Sequence, residues 1–548
     1  MTDESANLDI PAPDGEVNVI NTDYDVGQDN VQGGIGPLKF DVHNPVFGVS
    51  ALTIIGFVLL TLIFQDQASA AFNWLFNFVT TTFDWFFLLA GNIFVLFCLI
   101  LIFTPLGRVR LGGADAVPDF TYLSWFAMLF AAGMGIGLMF FGVLEPVYHM
   151  QVSNPLGLQG PFGENGELNE ALIREARDHG LAATIYHWAL HPWSIYAVVA
   201  LALALFTYNK QLPLSIRSCF YPLLGDRVWG WPGHAIDIIA VFATLFGLAT
   251  SLGLGAQQAS AGLEYVYGIP QTINTQVIII MGVTLIALIS VIRGVDGGVR
   301  VLSNINMFFA FLLVLFVFVA GPSLVILRDF WGGLSTYVTD IVPLSNPFGR
   351  TDDSYREGWT SFYWAWWISW SPFVGMFIAR VSRGRSVREF ITCVILIPSL
   401  VSVFWMAVFG GTAIEQVVSH PDTSGVKDNV IDGYNDAIAL FSMLGELPFT
   451  SIASTLAIIL VLVFFITSSD SGSLVIDTIT AGGKTEAPTA QRIFWCLTEG
   501  IVAIALLIGG GLTALQAMVN ATGIFFTFVL LFLCYAIYKG LRSEPRSS

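Results

Sequence analysis

The fold is decided by a glycine-rich stretch inside a long apolar segment, which reads Ala131-Ala132-Gly133-Met134-Gly135-Ile136-Gly137. Each glycine weakens a helix by about 1 kcal/mol relative to alanine, so three at alternate positions favour local unwinding. Inside a membrane, an unwound helix offers backbone N–H and C=O groups to an ion or a carboxylate. The four-residue spacing of Gly133 and Gly137 is also typical of close helix packing, and the spacing alone leaves both interpretations open.

The chain around this stretch has the composition of a membrane protein. Of its 548 residues, 55% are hydrophobic and only 11% are charged, whereas soluble domains carry about 25% charged residues. So little charge excludes a soluble enzyme. The net charge of −17 leaves no basic surface of domain size for a nucleic acid. We therefore expect a lipid bilayer around the chain and no nucleic-acid partner.

Twelve apolar segments are long enough to cross about 30 Å of hydrocarbon as helices. They lie near 46–64, 84–105, 121–144, 184–206, 235–265, 274–292, 303–327, 359–379, 390–412, 451–476, 493–508 and 516–538. Barrel strands would be about ten residues long and would alternate in polarity. The segments therefore predict an all-α polytopic membrane protein with twelve transmembrane helices.

The basic residues predict the orientation of these helices. With a cytoplasmic N-terminus, most of the 23 Lys and Arg residues fall in cytoplasmic loops and tails. The external loops hold only Arg174, Arg177, Arg328, Arg350, Arg356 and Lys427. Short loops rich in basic residues face the cytoplasm. We expect both termini to be cytoplasmic and the chain to lie in a bacterial-type inner membrane.

The same reading divides the chain into six parts. These are an acidic cytoplasmic tail (1–42), two N-terminal helices (43–120), a first five-helix block (121–327), an external loop (328–358), a second five-helix block (359–538) and a short cytoplasmic tail (539–548). The polar, acidic composition of the first part favours disorder.

Acidic residues inside membrane spans are functional candidates by default. Those in or at the edges of the predicted spans are Glu145, Asp237, Glu264, Asp470 and Glu499. We expect Asp237, Glu264 and Glu499 to lie at helix ends near the lipid headgroups. Asp470 is the most notable, because the hydroxyl groups of the preceding residues could accompany a cation.

The eighth predicted span carries a tryptophan-rich run, Phe362-Tyr363-Trp364-Ala365-Trp366-Trp367-Ile368-Ser369-Trp370-Ser371-Pro372-Phe373-Val374-Gly375. Tryptophans often form a belt at the membrane interface, yet this run leads into Pro372 and Gly375, which we expect to interrupt the helix. Trp366 and Trp370 share a helical face. Facing indole rings bind a quaternary ammonium through cation–π attraction.

The two unusual spans open two consecutive blocks of five helices. Interrupted segments at corresponding positions of two halves mark the substrate site of inverted-repeat transporters. The residues therefore favour a secondary transporter of a small organic solute that is cationic or zwitterionic.

The stretches 132–139, 187–196 and 362–388 resemble the betaine/choline/carnitine transporter family, and the resemblance extends over roughly residues 40–540. The motifs are most similar to those of the sodium-coupled glycine betaine symporters. The resemblance implies a LeuT-type fold of two inverted five-helix repeats plus two N-terminal helices, assembled as a homotrimer. It implies import of a methylated onium zwitterion, glycine betaine or a compatible solute such as dimethylsulfoniopropionate, by sodium symport through alternating access.

The resemblance also implies site residues. The substrate-binding positions are the cage tryptophans Trp366, Trp367 and Trp370, the outer aromatic set Trp188, Trp193 and Tyr196, and the glycine stretch at Gly133, Met134, Gly135 and Gly137. One sodium site matches the carbonyls of Ala131 and Met134 with the hydroxyls of Thr467 and Ser468. A second matches Thr244 and Phe373, but Leu248 stands where the family has another hydroxyl. That departure weakens the case for two sodium ions; no other cofactor is implied.

Other functions remain as alternatives. Proton-coupled choline members carry aspartate where Gly137 stands, and the glycine favours a zwitterion that brings its own carboxylate. Sodium-independent carnitine exchangers carry an arginine in the fifth span, where this chain has no basic residue. His187 and His191 lack a third metal ligand in the sequence. A channel or a membrane enzyme is less favoured than a transporter, because a tryptophan cage suits alternating access and no nucleophile–base pair is evident.

Overall fold

The computed structural model describes residues 10–545, except residues 37, 134, 164 and 294–298. Strands β1 (Asn30–Ile35) and β2 (Leu38–His43) form an antiparallel hairpin in which Asn30 pairs with His43. All other regular elements are helical, which confirms the predicted all-α polytopic class.

The α-helices follow one another along the chain after the hairpin. They are α1 (Asn44–Ile63), α2 (Gln65–Phe103), α3 (Tyr122–Gly133), α4 (Ile136–Gln151), α5 (Ile173–Trp188), α6 (Leu190–Ala204), α7 (Tyr221–Leu224), α8 (Trp231–Tyr267), α9 (Ile273–Arg293), α10 (Val299–Ala320), α11 (Ser323–Ser345), α12 (Asp353–Tyr355), α13 (Ser361–Arg380), α14 (Val387–Ser419), α15 (Ala439–Gly445), α16 (Thr450–Thr480) and α17 (Thr489–Arg542). Helix α17 bends at Gly510 and Gly511, where Gly511 has a φ of +62°.

Nine helices of the described chain are long and apolar enough to cross a membrane. Helix α17 spans two of the twelve predicted segments, which its glycine bend separates. The third predicted segment is divided between α3 and α4, and the eighth is the tryptophan-rich α13. The count of twelve crossings therefore stays a prediction.

The predicted interruption of the third span is confirmed. Helix α3 ends at Gly133, Gly135 is extended with φ −146° and ψ −171°, and α4 begins at Ile136. Met134 lies outside the described residues. The break leaves backbone groups of this segment without partners inside a helix, as the glycine spacing predicts.

The predicted interruption of the eighth span is wrong. Helix α13 continues through Pro372, although proline cannot donate a hydrogen bond to the carbonyl of Ile368. The hydroxyl of Ser371 donates to that carbonyl at 2.6 Å and replaces the missing bond. Gly375 serves close packing instead, because a Cβ there would lie 2.7 Å from Cγ1 of Val199 on α6.

A second break, which the sequence analysis missed, divides the fourth span. Helix α5 ends at Trp188 and α6 begins at Leu190, with Ala189 at φ −109° and ψ −117°. Pro192 falls in the first turn of α6, where its missing N–H costs no helical hydrogen bond. The break places Trp188 and Trp193 on different helices.

The predicted external loop 328–358 is largely helical, and the seventh predicted span is too long. Helix α10 ends at Ala320, and α11 starts at Ser323 after Gly321 and Pro322. Buried α11 residues recur every three or four positions at Ile326, Asp329, Gly333 and Tyr337. Such a pattern is amphipathic, so a search for continuous apolar runs does not detect it.

The described residues of the acidic tail contact distant parts of the chain, whereas the composition favours disorder. Its hairpin residue Asp41 pairs with Lys484 at 2.6 Å. Arg217 donates to the hydroxyl of Tyr24 at 2.9 Å and to the His43 ring at 3.0 Å. Burial and the nearby guanidinium lower the pKa of His43 to about 3, so this ring stays neutral and can accept the bond. The composition of the tail does not show these partners, because they lie far away from it in the sequence.

Several segments predicted to be cytoplasmic meet at one end of the helices. Arg383 pairs with Asp14 at 2.6 Å, and Asn18 donates to the carbonyl of Ser543 at 3.1 Å. Lys210 donates to the carbonyl of Asn18 at 2.9 Å. These contacts place both terminal segments on the same side of the protein, as the basic residues predict.

Two of the three acids expected near the headgroups are buried. Glu264 is exposed, whereas Asp237 and Glu499 are fully buried. Asp237 pairs with buried Arg217 at 3.3 Å, and Glu499 accepts a hydrogen bond from Ser469 at 3.3 Å. Neighbouring helices cover these positions, which the sequence of a single helix does not reveal.

Replacing Arg217 with methionine is expected to destabilise the fold by about 3–5 kcal/mol, because Asp237 would remain buried without its ionic partner. The measurement is thermal unfolding of the purified protein in detergent. The double variant Arg217→Met/Asp237→Asn should recover much of the loss. Arg328→Met is the control, since the Arg328 side chain is 58% exposed. Equal unfolding temperatures for the two single variants would contradict the prediction.

Candidate functional site

Helix α13 carries the three cage tryptophans, Trp366, Trp367 and Trp370, all of them buried. Trp366 and Trp370 are four residues apart on one face, with ring centroids 6.2 Å apart and planes at 76°. Trp367 stacks beside Trp366 at 5.8 Å and 28°. The face of one ring and the edge of another thus border a shared space, as an onium cage requires.

Helix α8 fixes the orientation of two cage rings. Nε1 of Trp370 donates to the carbonyl of Gly247 at 3.0 Å, and Nε1 of Trp366 donates to Oγ of Ser251 at 3.2 Å. A Cβ at Gly247 would lie 2.9 Å from Cδ1 of Trp370, so only glycine permits this approach. The sequence analysis did not assign this role to either residue; small residues at Gly247, Ser251 and Gly255, four apart, were the available signal.

The broken segment between α3 and α4 lies against the cage. A Cβ on Gly137 would be 2.7 Å from Cη2 of Trp188 and 2.9 Å from Cη2 of Trp366. A Cβ on Gly135 would lie 3.8 Å from Cη2 of Trp370. The structure therefore brings together the glycine stretch and the cage, as predicted from their positions in the two halves.

The outer aromatic set is joined to the cage through Trp367. Its ring centroid lies 5.1 Å from that of Trp188 at 89°, and 5.5 Å from that of Tyr196 at 81°. Trp193 contacts Tyr196 at 5.5 Å. The Tyr196 hydroxyl is buried and has no hydrogen-bond partner. Buried polar groups normally have a partner, so this hydroxyl is available to a ligand.

Among the described residues, no Arg or Lys group lies over the faces of these rings. In the part of the chain that the structure describes, the Arg and Lys groups placed over aromatic rings lie over other residues. Cation–π attraction in the cage is therefore not already satisfied by a side chain.

The described ligands of the first predicted sodium site lie on two helices, α3 and α16. Ala131 is in the last turn of α3, whereas Thr467 and Ser468 are half-buried in the middle of α16. The Thr467 hydroxyl donates to the carbonyls of Val463 and Phe464 at 3.0 and 3.1 Å. Its oxygen keeps lone pairs for a cation.

The second predicted sodium position involves α8 and α13. The Thr244 hydroxyl is buried and donates to the carbonyl of Ala240 at 2.7 Å. Phe373 packs against Trp370 with a centroid separation of 5.4 Å. Leu248, where the family has a hydroxyl, packs instead against Gly472 on α16. Both sodium assignments stay predictions.

One buried acid near the cage has more hydrogen-bond partners than the sequence analysis foresaw. Glu145 accepts hydrogen bonds from Trp188 and Tyr363, both at 2.6 Å, and contacts His187 at 2.5 Å and His149 at 3.0 Å. We call these five residues the Glu145 cluster. Its acid and two histidines offer ligand atoms within 4.8 Å of one another. His191, which the sequence paired with His187, instead bonds Asn92 at 3.1 Å.

The spacing on α4 was the signal for this cluster. Gly137, Phe141 and Glu145 are four residues apart, so they lie along one face of the helix. Phe141 contacts Trp188 and Trp366 at centroid distances of 6.4 and 6.0 Å. The acid therefore continues the helix face that borders the cage.

The chain is similar to known proteins over most of its length. The betaine/carnitine/choline family transporter profile matches residues 45–546. A glycine betaine/proline/choline transporter of Vibrio parahaemolyticus is 57% identical over 99% of this chain and 98% of its own length. Glycine betaine transporter 1 of the same organism is 56% identical over 96% of this chain and 98% of its own. The glycine betaine transporter OpuD of Bacillus subtilis is 42% identical, covering 86% of this chain and 88% of its own.

Proposed function

Because the chain belongs to the betaine/carnitine/choline transporter family, and is thus a membrane transporter rather than an enzyme, we propose that it imports a methylated onium zwitterion by sodium symport. Glycine betaine is the first candidate, and dimethylsulfoniopropionate has the same charges and a similar shape. The observation that carries the proposal is the contact between the cage and the glycine break.

The two ends of such a zwitterion match two parts of the site. The methylated cation fits among the rings of Trp366 and Trp370, where it needs no hydrogen bond. The carboxylate fits the backbone N–H groups of the interrupted segment around Gly135. Gly137 supplies no carboxylate at the position where the proton-coupled choline members carry aspartate, which favours a substrate that carries its own negative charge over choline.

The oxygen atoms of the site support the proposed sodium coupling. Hard cations bind carbonyl and hydroxyl oxygens. In the proposed first site, the carbonyls of Ala131 and Met134 act with the hydroxyls of Thr467 and Ser468. Thr244 and Phe373 border a proposed second site, which has fewer oxygen ligands because of Leu248.

The proposed setting is the bacterial inner membrane. Both termini face the cytoplasm, two inverted five-helix repeats form a LeuT-type fold, and three copies assemble as a homotrimer. Import of a compatible solute would protect the cell against osmotic stress. The basic loops support the orientation, and family membership supports the remaining features.

Uptake into proteoliposomes tests this proposal. We expect saturable uptake of labelled glycine betaine that depends on an inward sodium gradient, with competition by dimethylsulfoniopropionate and weaker competition by choline and carnitine. A proton gradient without sodium should not drive uptake. Sodium-independent exchange, or transport driven by protons alone, would contradict the coupling; preference for choline would contradict the substrate.

A further inference from the structure

The Glu145 cluster links the outer aromatic set to α13, because it contains Trp188 of that set and Tyr363 of that helix. The carboxylate is fully buried, and its hydrogen-bond partners come from α4, α5 and α13. Among the described residues, its only ion-pair partners are His149 and His187, and no Lys or Arg pairs with it. Burying a carboxylate in this way costs free energy unless each of its lone pairs accepts a hydrogen bond.

The hydrogen bonds fit an ionised carboxylate. Such a group has about four acceptor positions and no donor, and Glu145 has four partners, two on each oxygen. Trp188 can only donate. Its distance of 2.6 Å and that of Tyr363 are short for neutral N–H or O–H groups and are typical of bonds to a charged oxygen.

The two histidines can complete the pattern as neutral rings. His149 bonds Ser153 through Nδ1 at 2.6 Å, and His187 bonds Thr360 through Nε2 at 2.9 Å. Each neutral ring can donate one N–H to Glu145 and accept a hydroxyl at its other nitrogen. Among the described residues, the other charged or titratable groups near the histidines include Tyr355, whose ring contacts both, Tyr186, whose ring lies 5.7 Å from that of His187, and Arg350, which pairs with Asp352. His191 also lies near His187.

Trp188 connects the carboxylate to the substrate site. One edge of its indole donates to Glu145, and the opposite edge, at Cη2, borders Gly137. A hydrogen bond from an indole N–H to an anion increases the electron density of the ring. The attraction between the ring face and a cation rises with that density, and a buried charge acts over a longer distance than an exposed one.

We propose that Glu145 is a specificity-determining residue that orients Trp188 and strengthens its cation-binding face, so that the site selects a positively charged onium group over a neutral group of equal shape. This inference rests on the proposed function. It concerns the cationic end of the substrate, whereas the glycine break receives the carboxylate end.

A pair of isosteric ligands tests the inference directly. Glycine betaine and 3,3-dimethylbutanoate differ only in the central atom of the trimethyl group, which is a charged nitrogen in the first and a neutral carbon in the second. Both are measured as competitors of labelled betaine uptake in proteoliposomes. For Glu145→Gln, which keeps the side-chain volume, we expect the apparent affinity for betaine to fall about tenfold and that for 3,3-dimethylbutanoate to change less than twofold.

Two further variants keep the test decisive. Glu499→Gln changes another fully buried acid, which contacts Ser469 rather than the cage, and should leave the ratio of the two affinities unchanged. Trp188→Phe keeps an aromatic ring but removes the N–H, so it should reduce the ratio as Glu145→Gln does. The double variant should show no additional loss, and Trp188→Phe carries the test if Glu145→Gln does not fold.

The outcomes separate this inference from the proposed function. If Glu145→Gln lowers the affinity for both ligands equally, the residue has a purely structural role and the inference is overturned. The inference is also overturned if neither affinity changes. Absence of saturable betaine uptake by the wild-type protein would instead overturn the proposed function. A reduced ratio in Glu145→Gln and Trp188→Phe, with wild-type uptake intact, supports both.

Discussion

Replacing Trp370 with alanine is expected to reduce betaine uptake to background while the protein still inserts into the membrane. The ring of Trp370 lies against Trp366 and Phe373, and it faces Gly135. A desolvated cation–π contact is worth about 2 kcal/mol or more, which corresponds to roughly 30-fold in affinity. The cavity left by the ring also loosens the neighbouring walls of the cage.

A milder pair of substitutions separates the cage from the rest of the tryptophan-rich run. Trp370→Phe keeps a ring but loses the hydrogen bond to the carbonyl of Gly247. Trp364→Phe is the matched control, because Trp364 is equally buried in α13, stacks on His191 and has an Nε1 without a hydrogen-bond partner. We expect a clear rise in the KM for betaine in Trp370→Phe only. Normal uptake by Trp370→Ala would disprove the cage assignment.

The sequence was sufficient to predict the shared helical face of Trp366 and Trp370 and the break in the third span. Tryptophans four residues apart must share a helical face, and alternate glycines weaken a helix wherever they occur. Both inferences depend on neighbours in the chain. The contacts of Gly247 and Ser251 with these tryptophans depend on how α8 packs against α13, which no local pattern specifies.

The wrong prediction at Pro372 has the same origin. Proline removes one backbone hydrogen bond, and the sequence alone does not show that the hydroxyl of Ser371 replaces it. At Ala189 the reverse occurs, because a residue with good helix propensity lies at a break, three residues before Pro192. Helix breaks are therefore predictable where several helix-weakening residues lie close together. They are not predictable where a neighbouring side chain replaces the hydrogen bond that one residue removes.

The contacts of the N-terminal tail and the amphipathic α11 were hidden for a related reason. Asp41 and Tyr24 have partners in loops that follow hundreds of residues later, at Lys484 and Arg217. The net negative charge of the segment indicates repulsion among its own residues. It does not show the attraction of these residues to partners elsewhere in the chain. Helix α11 buries only one face, so its buried residues do not form a continuous apolar run.

Alanine at Gly137 is expected to reduce betaine uptake far more than alanine at Gly135, although both glycines belong to the same motif. A Cβ at Gly137 would lie 2.7 Å from Trp188 and 2.9 Å from Trp366, so both rings must move. Overpacking of this kind costs about 1–3 kcal/mol, or roughly five- to 150-fold in affinity.

The matched control is Gly135→Ala, whose Cβ would lie 3.8 Å from Cη2 of Trp370, an ordinary van der Waals contact. The extended φ of −146° at Gly135 also accepts any residue. Initial rates of uptake at several betaine concentrations compare the two variants; equal KM values would contradict the packing argument.

Gly137→Ala is also the reference for Gly137→Asp, because both introduce the same Cβ. Only a gain in choline competition beyond that of Gly137→Ala can be attributed to the added carboxylate, and we expect that gain because choline lacks a carboxylate of its own.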